Sequence, residues 1–338
     1  MGVRLCGLTA EEIFSLIGPA GFTMPHAISI ANSLYKRRIS EIPLFPGLPK
    51  KLKEELARVS CPGMFEPVVT EKSSDGTVKY LFRNQEGLEY ETVYLPDTKR
   101  NTVCVSTQSG CRMGCPFCVT GKFGFHGDLS VNDIVNQVIS LPGAAKFTHV
   151  VFMGMGEPMD NLENVLKACK IITSEWGLAV SPGNVTVSTV GITPGVIKFL
   201  EQSDCNLTLS LYSPFSGERQ EIIPVEKRYP VHGILEIMKN FKMGKRRRMS
   251  IAYVMINDVN DTDGHLSELK NILKGSGIRV NLLPYHSVPG DVNITSTPER
   301  MQYFRHKLVM SGISASIRKS RGLDVSAACG LLGGSRGC

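Results

Sequence analysis

Three cysteines share one short loop of the sequence. Cys111, Cys115 and Cys118 lie in the segment SGCRMGCPFCVTGKFGF, residues 109–125. A structural zinc ion needs four ligands, and zinc modules usually supply them as paired Cys-x2-Cys hooks. Iron–sulfur clusters are also held by cysteine thiolates, and three ligands would leave a fourth iron open. The spacing therefore favours an iron–sulfur cluster, with zinc and unligated thiols as the alternatives.

The other seven cysteines are isolated along the chain, so no second zinc hook accompanies the loop. They are Cys6, Cys61, Cys104, Cys169, Cys205, Cys329 and Cys338. The N-terminus carries no recognisable export signal, and free thiols are typical of a reducing compartment, so we expect a cytoplasmic protein. No apolar run reaches the ~18 residues of a membrane span, so we expect no membrane partner. The net charge of +7 is compatible with a polyanionic partner without identifying one.

Strand patterns alternate with helix patterns from about residue 103 onward. The predicted strands cover 103–107, 148–153, 185–189, 206–211, 249–255, 278–283 and 313–318. The predicted helices cover 131–140, 161–174, 194–202, 231–241, 262–274 and 298–310. Six strand-then-helix units predict an α/β fold with a parallel sheet. Right-handed crossovers would curl this sheet into a partial (β/α)6 barrel of the TIM type.

The segments on either side of the predicted barrel have a different character. Residues 1–62 contain three helical patterns, one of them basic, and predict a small helical accessory domain. Residues 63–102 alternate apolar and polar residues around the turns SSDG and NQEG, which is typical of a β-meander. The barrel would then occupy residues 103–318, and a glycine-rich tail would occupy residues 319–338.

Chemistry-bearing residues follow several of the predicted strands. Because active sites of such sheets lie at the carboxyl ends of the strands, we expect these residues to meet at one rim. The cysteine loop follows the first strand, and Gly156 and Glu157 of the segment GMGEP follow the second. Ser188, Ser210 and His286 end or follow later strands.

Each of these rim residues also has a simpler interpretation. The glycines would let the backbone approach a ligand, and Glu157 could accept a hydrogen bond from an amino group. Alternatively, GMGEP is a tight turn with a solvated carboxylate. Ser188 and Ser210 are either ligand contacts or ordinary hydroxyls at the ends of strands.

Several longer segments resemble the RlmN/Cfr family of radical S-adenosylmethionine (SAM) RNA methyltransferases. The resemblance runs from about residue 10 to residue 333, and the elements ETV and AACG are its most diagnostic parts. The segments are YETVYLPDTKRNTVCVSTQSGCRMGCPFCVTGKFGF, VVFMGMGEPMDNLENV, VTVSTVGITPG, LTLSLYSPFSGERQEIIPVEKRYP, YVMINDVND and IRKSRGLDVSAACG.

The resemblance implies a [4Fe–4S] cluster and two SAM molecules per turnover. Such enzymes methylate carbon 2 or carbon 8 of an adenine in 23S ribosomal RNA, and RlmN also acts on some transfer RNAs. The matching motifs imply that Cys329 carries the methyl group, that Cys104 resolves the protein–RNA crosslink as a disulfide, and that Glu91 removes the ring proton. The small residues around Cys329 would let a mobile tail reach the rim.

Those three residues also have structural alternatives. Cys329 and Cys104 are alternatively small apolar core residues, and Glu91 is alternatively a charge on an edge strand.

The family pattern also implies a SAM pocket that includes Ser210 and Leu211, with two departures. The family usually has His where this chain has Tyr212, and Asn where it has His286; a phenol and an imidazole both remain able to make polar contacts. IRKSRG is closer to RlmN and SPFSGER is closer to Cfr, and we favour carbon 2.

RNA would be contacted by basic segments, because Lys and Arg bind phosphates. The candidates are GKRRR, residues 244–248, and the basic N-terminal helices; solvated charged surfaces are the alternative. The resemblance further implies a flavodoxin-type electron donor, and we expect a monomer. Two other functions stay open: a radical SAM enzyme acting on a peptide or small metabolite, and a non-catalytic RNA-binding protein with a structural metal.

Overall fold

The structure is a computed structural model that describes residues 2–142, 146–242, 244, 247–288 and 290–333. Its strands are β1 (Val3–Arg4), β2 (Ser60–Cys61), β3 (Val69–Lys72), β4 (Val78–Arg83), β5 (Glu89–Leu95), β6 (Thr102–Val105), β7 (Gln108–Gly110), β8 (Phe125–Asp128), β9 (His149–Phe152), β10 (Val185–Thr189), β11 (Asn206–Ser210), β12 (Met249–Met255), β13 (Arg279–Pro284) and β14 (Ala315–Ile317). Its α-helices are α1 (Ala10–Ile17), α2 (Met24–Tyr35), α3 (Lys50–Val59), α4 (Val119–Phe123), α5 (Val131–Ile139), α6 (Leu162–Thr173), α7 (Thr193–Gln202), α8 (Ser216–Ile222), α9 (Val231–Asn240), α10 (Asp263–Leu273) and α11 (Pro298–Met310).

One ten-stranded sheet organises the molecule, in the order β14-β13-β12-β11-β10-β9-β6-β5-β4-β3. The seven strands from β6 to β14 are parallel to one another. Strands β3, β4 and β5 form the predicted meander, and β5 pairs antiparallel with β6. The sequence prediction of an α/β partial barrel is confirmed, and each predicted barrel strand and helix is present within one or two residues of its predicted bounds.

The helices between the parallel strands cover one face of the sheet. Alternate strand residues such as Val105, Phe152 and Leu209 are buried in the same core as Ile134 of α5 and Phe304 of α11. We call the opposite side of the sheet the open face. Because strand side chains alternate between faces, the open face carries mostly small polar residues. They are Thr102, Cys104, Thr186, Ser188, Thr208, Ser210, Ser250, Asn281 and Ser316.

The accessory helices at the N-terminus pack against α6. Thr9 and Glu12 form a capping box at the start of α1, which satisfies free N–H groups of its first turn. Glu12 also pairs with Lys167 of α6 at 2.6 Å. The two-stranded pairing of β1 with β2 within this region was not predicted, because each strand has only two residues.

The C-terminal tail returns from β14 to the meander. Arg321 donates to the carbonyl oxygens of Pro96 and Asp75. The backbone N–H of Ser74 donates to Asp324 Oδ2 at 3.0 Å. The chain thus connects the two ends of the ten-stranded sheet through the turn between β3 and β4.

Two regions of the sequence analysis lie partly beyond the described residues. In GKRRR, Lys245 and Arg246 are outside them, and so is Cys338 of the tail. No helix in the described part of the chain is long and apolar enough to span a membrane.

Candidate active site

The cysteine loop is enclosed by a hairpin that the sequence analysis missed. Strands β7 and β8 pair antiparallel at either end of it. The N–H of Cys111 donates to the carbonyl oxygen of Gly124 at 2.8 Å. Gly110 has φ +77°, and a Cβ atom there would lie 1.7 Å from that same oxygen. Only glycine fits this crossing, which closes the base of the loop.

The three thiols of the loop act on one another electrostatically. Burial, together with the charges of Glu157 and Cys118, raises the pKa of Cys111 to about 12. Burial and the charges of Cys118 and Cys111 also raise the pKa of Cys115. The described residues contain no group of three His, Cys, Asp or Glu side chains arranged for a single metal ion. When ionised, these thiols would repel one another. A positively charged iron cluster would stabilise the three thiolates as its ligands.

The glycines of GMGEP make room for the chain's own residues. A Cβ atom on Gly154 would lie 2.6 Å from Ser106 Oγ, and one on Gly156 would lie 2.5 Å from Gln108 Cβ. Gly156 also has φ +95°, a conformation that disfavours other residues. Their missing side chains let the GMGEP turn pack against the segment after β6, and the expectation that their backbone also approaches a ligand stays a prediction.

This packing places Glu157 in a buried, polar position. Its side chain accepts hydrogen bonds from Thr189 Oγ1 at 2.5 Å and from the N–H groups of Val190 at 2.9 Å and Met159 at 3.0 Å. Only 3% of Glu157 is exposed, so it is not the solvated turn residue of the simpler interpretation. Burial outweighs these donors and raises the pKa of Glu157 to about 7.

A buried arginine that the sequence analysis did not single out supports the same rim. Arg219 of α8 is fully buried and forms an ion pair with Glu226. Its guanidinium donates to the carbonyl oxygens of Leu211 at 3.0 Å and Ser210 at 3.1 Å, and to that of Val190. These carbonyls follow or end β10 and β11, so Arg219 fixes the carboxyl ends of two strands. No sequence pattern marks a buried arginine on a short helix.

The two predicted strand-end serines are neighbours. Ser188 Oγ and Ser210 Oγ lie 3.4 Å apart on the open face. Leu211, by contrast, is fully buried in the main core, and its carbonyl oxygen is held by Arg219. The backbone of Leu211, rather than its side chain, therefore belongs to the rim.

Tyr212 packs against the cysteine loop. Its ring stacks on Phe117, with centroids 5.8 Å apart and planes at 15°. Tyr212 has φ +64°, and Asn260 Nδ2 donates to its carbonyl oxygen at 2.8 Å. Tyr212 and Cys115 share a small apolar cluster that is separate from the main core. The residue that departs from the family pattern thus forms one wall of the cysteine loop.

His286 lies in the loop after β13 and is half-buried, which lowers its pKa. Its neighbour Tyr285 belongs to the same apolar cluster as Cys115 and Tyr212. The structure therefore places His286 beside the rim.

The C-terminal tail binds the outer side of the cysteine loop. The carbonyl oxygen of Gly330 accepts from the N–H of Val119 at 2.8 Å, and that of Leu332 accepts from Thr120 Oγ1. Val119 and Thr120 begin α4, directly after the third cysteine of the loop. The tail is thus docked at the rim, where the sequence analysis expected a mobile segment.

Docking brings Cys329 close to two other thiols. The negative charge of Cys118 raises the pKa of Cys329, and the charge of Cys329 in turn raises the pKa of Cys104; burial is the larger cause for both. Cys329 is accessible to solvent even though surrounding protein desolvates its thiol, as expected for a group that lines a concave surface. It is therefore not a buried apolar residue.

Glu91 lies on the same side of the sheet as Cys104. Val93 of β5 is paired with Cys104, and side chains two residues apart share a face. Glu91 Oε1 lies 3.3 Å from Lys79 Nζ, and Glu91 Oε2 accepts from the N–H of Gly333 at 2.9 Å. Strand β5 lies between β4 and β6, so Glu91 is not an edge-strand charge.

Comparisons with known proteins identify the family. Residues 105–269 match the Radical SAM superfamily. A probable dual-specificity RNA methyltransferase RlmN of Bacteroides thetaiotaomicron is 42% identical over 328 residues, which cover 97% of this chain and 95% of that protein. The chain belongs to the RlmN family of radical SAM RNA methyltransferases.

Two further matches agree with this assignment. A dual-specificity RNA methyltransferase RlmN of Desulfotalea psychrophila is 37% identical over 342 residues and covers 98% of this chain and 94% of that protein. The crystal structure of a radical SAM methyltransferase from Sphaerobacter thermophilus has a TM-score of 0.89 at 33% identity, covering 98% of this chain and 99% of that one. Like other members of the RlmN family, the chain is a SAM-dependent transferase, and the family implies a [4Fe–4S] cluster.

Proposed function

We propose that this enzyme methylates carbon 2 of an adenine in 23S ribosomal RNA and in transfer RNA, with Cys329 as the methyl carrier and two SAM molecules per turnover. The observation that carries the proposal is the docked tail, which brings Cys329 within electrostatic range of both Cys118 and Cys104. A methyl carrier must meet SAM, the RNA base and a resolving thiol in one place.

The cluster ligands in this proposal are Cys111, Cys115 and Cys118. A [4Fe–4S] cluster held by three thiolates keeps one iron open for SAM and, when bound, supplies the electron that cleaves SAM to a 5′-deoxyadenosyl radical. The residues present suit such a group, because the loop offers three free thiols, and burial and neighbouring negative charges raise the pKa of Cys111 and of Cys115.

We place the SAM pocket among the residues of the rim. Glu157 is held in place by Thr189 and has acceptor capacity left for the SAM amino group. Ser188 and Ser210 provide hydroxyls on the open face. We assign the backbones of Gly156 and Leu211, and the side chains of Tyr212 and His286, to the walls of this pocket.

The sulfur atom of Cys329 takes part in two stages of the proposed reaction. Its thiol first takes a methyl group from SAM, losing its proton and releasing S-adenosylhomocysteine. After hydrogen abstraction from that S-methyl group, the carbon radical adds to the adenine ring. The adduct radical loses one electron, which the cluster would take up when bound, and Glu91 takes the ring proton. Cys104 then loses its thiol proton and attacks the sulfur of Cys329, so that a disulfide forms while the bond from that sulfur to the methylene carbon breaks. The released methylene carbon takes up a proton and becomes the methyl group of the base.

We infer the remaining partners from the positively charged surface residues and from the family. We assign RNA contacts to the N-terminal helices, where Lys36, Arg37 and Lys51 are exposed. The target adenine must leave its stack to reach the rim. A flavodoxin-type donor would supply electrons, and the enzyme would act as a cytoplasmic monomer.

Nucleoside analysis tests the reaction directly. Ribosomal and transfer RNA from cells with and without the gene should differ by 2-methyladenosine. RNA that carried only 8-methyladenosine would reject carbon 2. RNA without any gene-dependent methyladenosine would instead favour a peptide or metabolite substrate, or a non-catalytic RNA-binding protein.

A further inference from the structure

We propose that Arg100, Arg248 and Arg318 form a binding site for a backbone phosphate of the RNA substrate. The site lies on the open face of the barrel. This inference rests on the proposed function, since it assumes that RNA enters the barrel.

Strand alternation puts all three arginines on the open face. Arg248 stands two residues before Ser250, and Arg318 stands two residues after Ser316, so each shares the face of its serine. The sheet hydrogen bonds continue to both positions: the N–H of Leu207 donates to the carbonyl oxygen of Arg248 at 3.1 Å, and the N–H of Arg318 donates to that of Leu282 at 2.9 Å.

Arg100 lies on the same face at the opposite side of the run of parallel strands, beside β6. It stands two residues before Thr102, and the N–H of His149 donates to the intervening Asn101 carbonyl at 3.1 Å. In a flat sheet, β6 and β14 would lie about 29 Å apart, at ~4.8 Å per strand. The charges of Arg318 and Arg248 nevertheless act on Arg100. The sheet therefore curls until its open face becomes the inner wall of a partial barrel.

The cluster is an unneutralised concentration of positive charge. Burial and the charges of Arg318 and Arg248 lower the pKa of Arg100. Burial and all three arginines lower the pKa of His149 to about 4, so His149 is neutral at pH 7. Arg318 and Arg248 thus make the positive charge of Arg100 more costly, and an incoming anion would relieve this repulsion.

The three guanidinium groups also differ from those arginines of the molecule that have a counter-ion. Arg219, Arg83 and Arg300 are each paired with a carboxylate. Within the described ranges, no side chain forms a hydrogen bond or ion pair with the guanidinium groups of Arg100, Arg248 or Arg318. Planar guanidinium forks suit phosphate oxygens, and two or three of them suit a phosphate better than a single carboxylate.

The position of the three arginines relative to Cys329 indicates that the anion they bind is an RNA phosphate. The positive charge of Arg318 also acts on the Cys329 thiol and lowers its pKa, against the larger effect of burial. The cluster is therefore adjacent to the proposed methyl carrier. A base that reaches Cys329 carries its own backbone phosphates within one nucleotide of it, so the arginines can hold the strand while the base is presented.

The test measures binding of a single-stranded RNA hairpin loop to the cluster-loaded enzyme at several salt concentrations. Arg248→Gln and Arg318→Gln should each weaken binding about tenfold and reduce the slope of log K against log salt by about 0.7, the value for one lost contact to a single strand. Arg305→Gln is the matched control, because Arg305 is exposed on α11 and its guanidinium donates to Gln302 of the same helix.

Three results would overturn the inference. The first is an unchanged affinity and salt slope in both variants. The second is a lower melting temperature in both variants, since removing one of three like charges should leave it unchanged or raise it. The third is that inorganic phosphate stabilises the wild type but neither variant, while the RNA slope stays unchanged, which would assign the site to free phosphate. In each case 2-methyladenosine formation by the wild type would show that the proposed function itself stands.

Discussion

Glu157 accepts three hydrogen bonds and nevertheless has a raised pKa, because its side chain is buried. Donors such as Thr189 favour the carboxylate, but the loss of hydration costs more. The group therefore changes charge near pH 7 instead of in the acidic range. A ligand amino group that donates to Glu157 would favour the ionised form.

The raised pKa of Glu157 should make the free energy of unfolding depend on pH. The folded pKa of Glu157 is about 7 against an ordinary 4.5, so its ionisation is costlier in the folded state. Between pH 4.5 and 7 this group should cost the protein a growing share of stability, up to roughly 3 kcal/mol, and the cost should stay constant above pH 7. Urea unfolding of SAM-free protein at pH 5 and pH 8 measures it. Glu157→Gln should lose this difference; an equal difference in the variant would contradict the assignment.

Lys79 is the residue that we expect to matter most for Glu91. Its ammonium lies 2.8 Å from Glu71 and 3.3 Å from the buried Glu91. Lys79→Met would leave Glu91 without a counter-charge and should cost ~3 kcal/mol of stability, together with most methylation. Lys79→Arg should restore both. Glu71→Gln is the matched control at the exposed end of the network and should cost less than about 1 kcal/mol. A Lys79→Met variant as stable and active as the wild type would rule this network out.

For individual residues, the sequence predicted which ones matter for function better than it predicted what they contact. The cysteine loop, Glu157 and Cys329 were singled out from spacing and resemblance. Lys79 and Arg219 were not, because their importance comes from strand register and burial, which place them against residues distant along the chain.

The elements of the barrel were predictable because their patterns are local. Most of the parallel strands have buried residues at alternate positions, and most helices have a clear apolar face, so periodicity marks them. The hairpin of β7 and β8 escaped prediction, because the cysteine loop separates two short strands without alternation. The docking of the tail also depends on contacts with α4 and the meander that no local pattern contains.

Tail docking leads to a prediction about Arg321. This side chain ties the tail to Pro96 and Asp75, and hydrogen bonds from a charged donor contribute about 1.5–3 kcal/mol each. Arg321→Gln should therefore loosen the tail and lower methylation roughly tenfold or more. Cleavage of SAM to 5′-deoxyadenosine should persist, since Arg321 lies away from the cysteine loop. Chromatographic assay of both products checks this, and equal losses of both would contradict the role of the tail.

At the scale of the whole molecule, the cysteine loop sits apart from the main core, whereas Cys104 belongs to that core. Cys115 and Tyr212 belong to a small apolar cluster, whereas the barrel and the accessory helices share one large core. The barrel should therefore fold without a cluster in the loop. The same separation lets the meander, the tail and the parallel strands meet around one inner wall.

This separation predicts the effect of removing a cluster ligand. Cys115→Ser should abolish iron binding and SAM cleavage in anaerobically reconstituted protein, while far-ultraviolet circular dichroism stays unchanged. Cys61→Ser is the control, because Cys61 is an exposed thiol outside the loop. Full iron content in Cys115→Ser would show that the loop is not the cluster site.

The central claim is that the docked Cys329 receives a methyl group before RNA does. Mass spectrometry of the tail peptide, after anaerobic reconstitution and incubation with isotopically labelled SAM, tests it most directly. We predict one labelled methyl group on Cys329 and none on Cys104 or Cys61. Enzyme that transfers labelled methyl to RNA while Cys329 never carries the label would contradict the account.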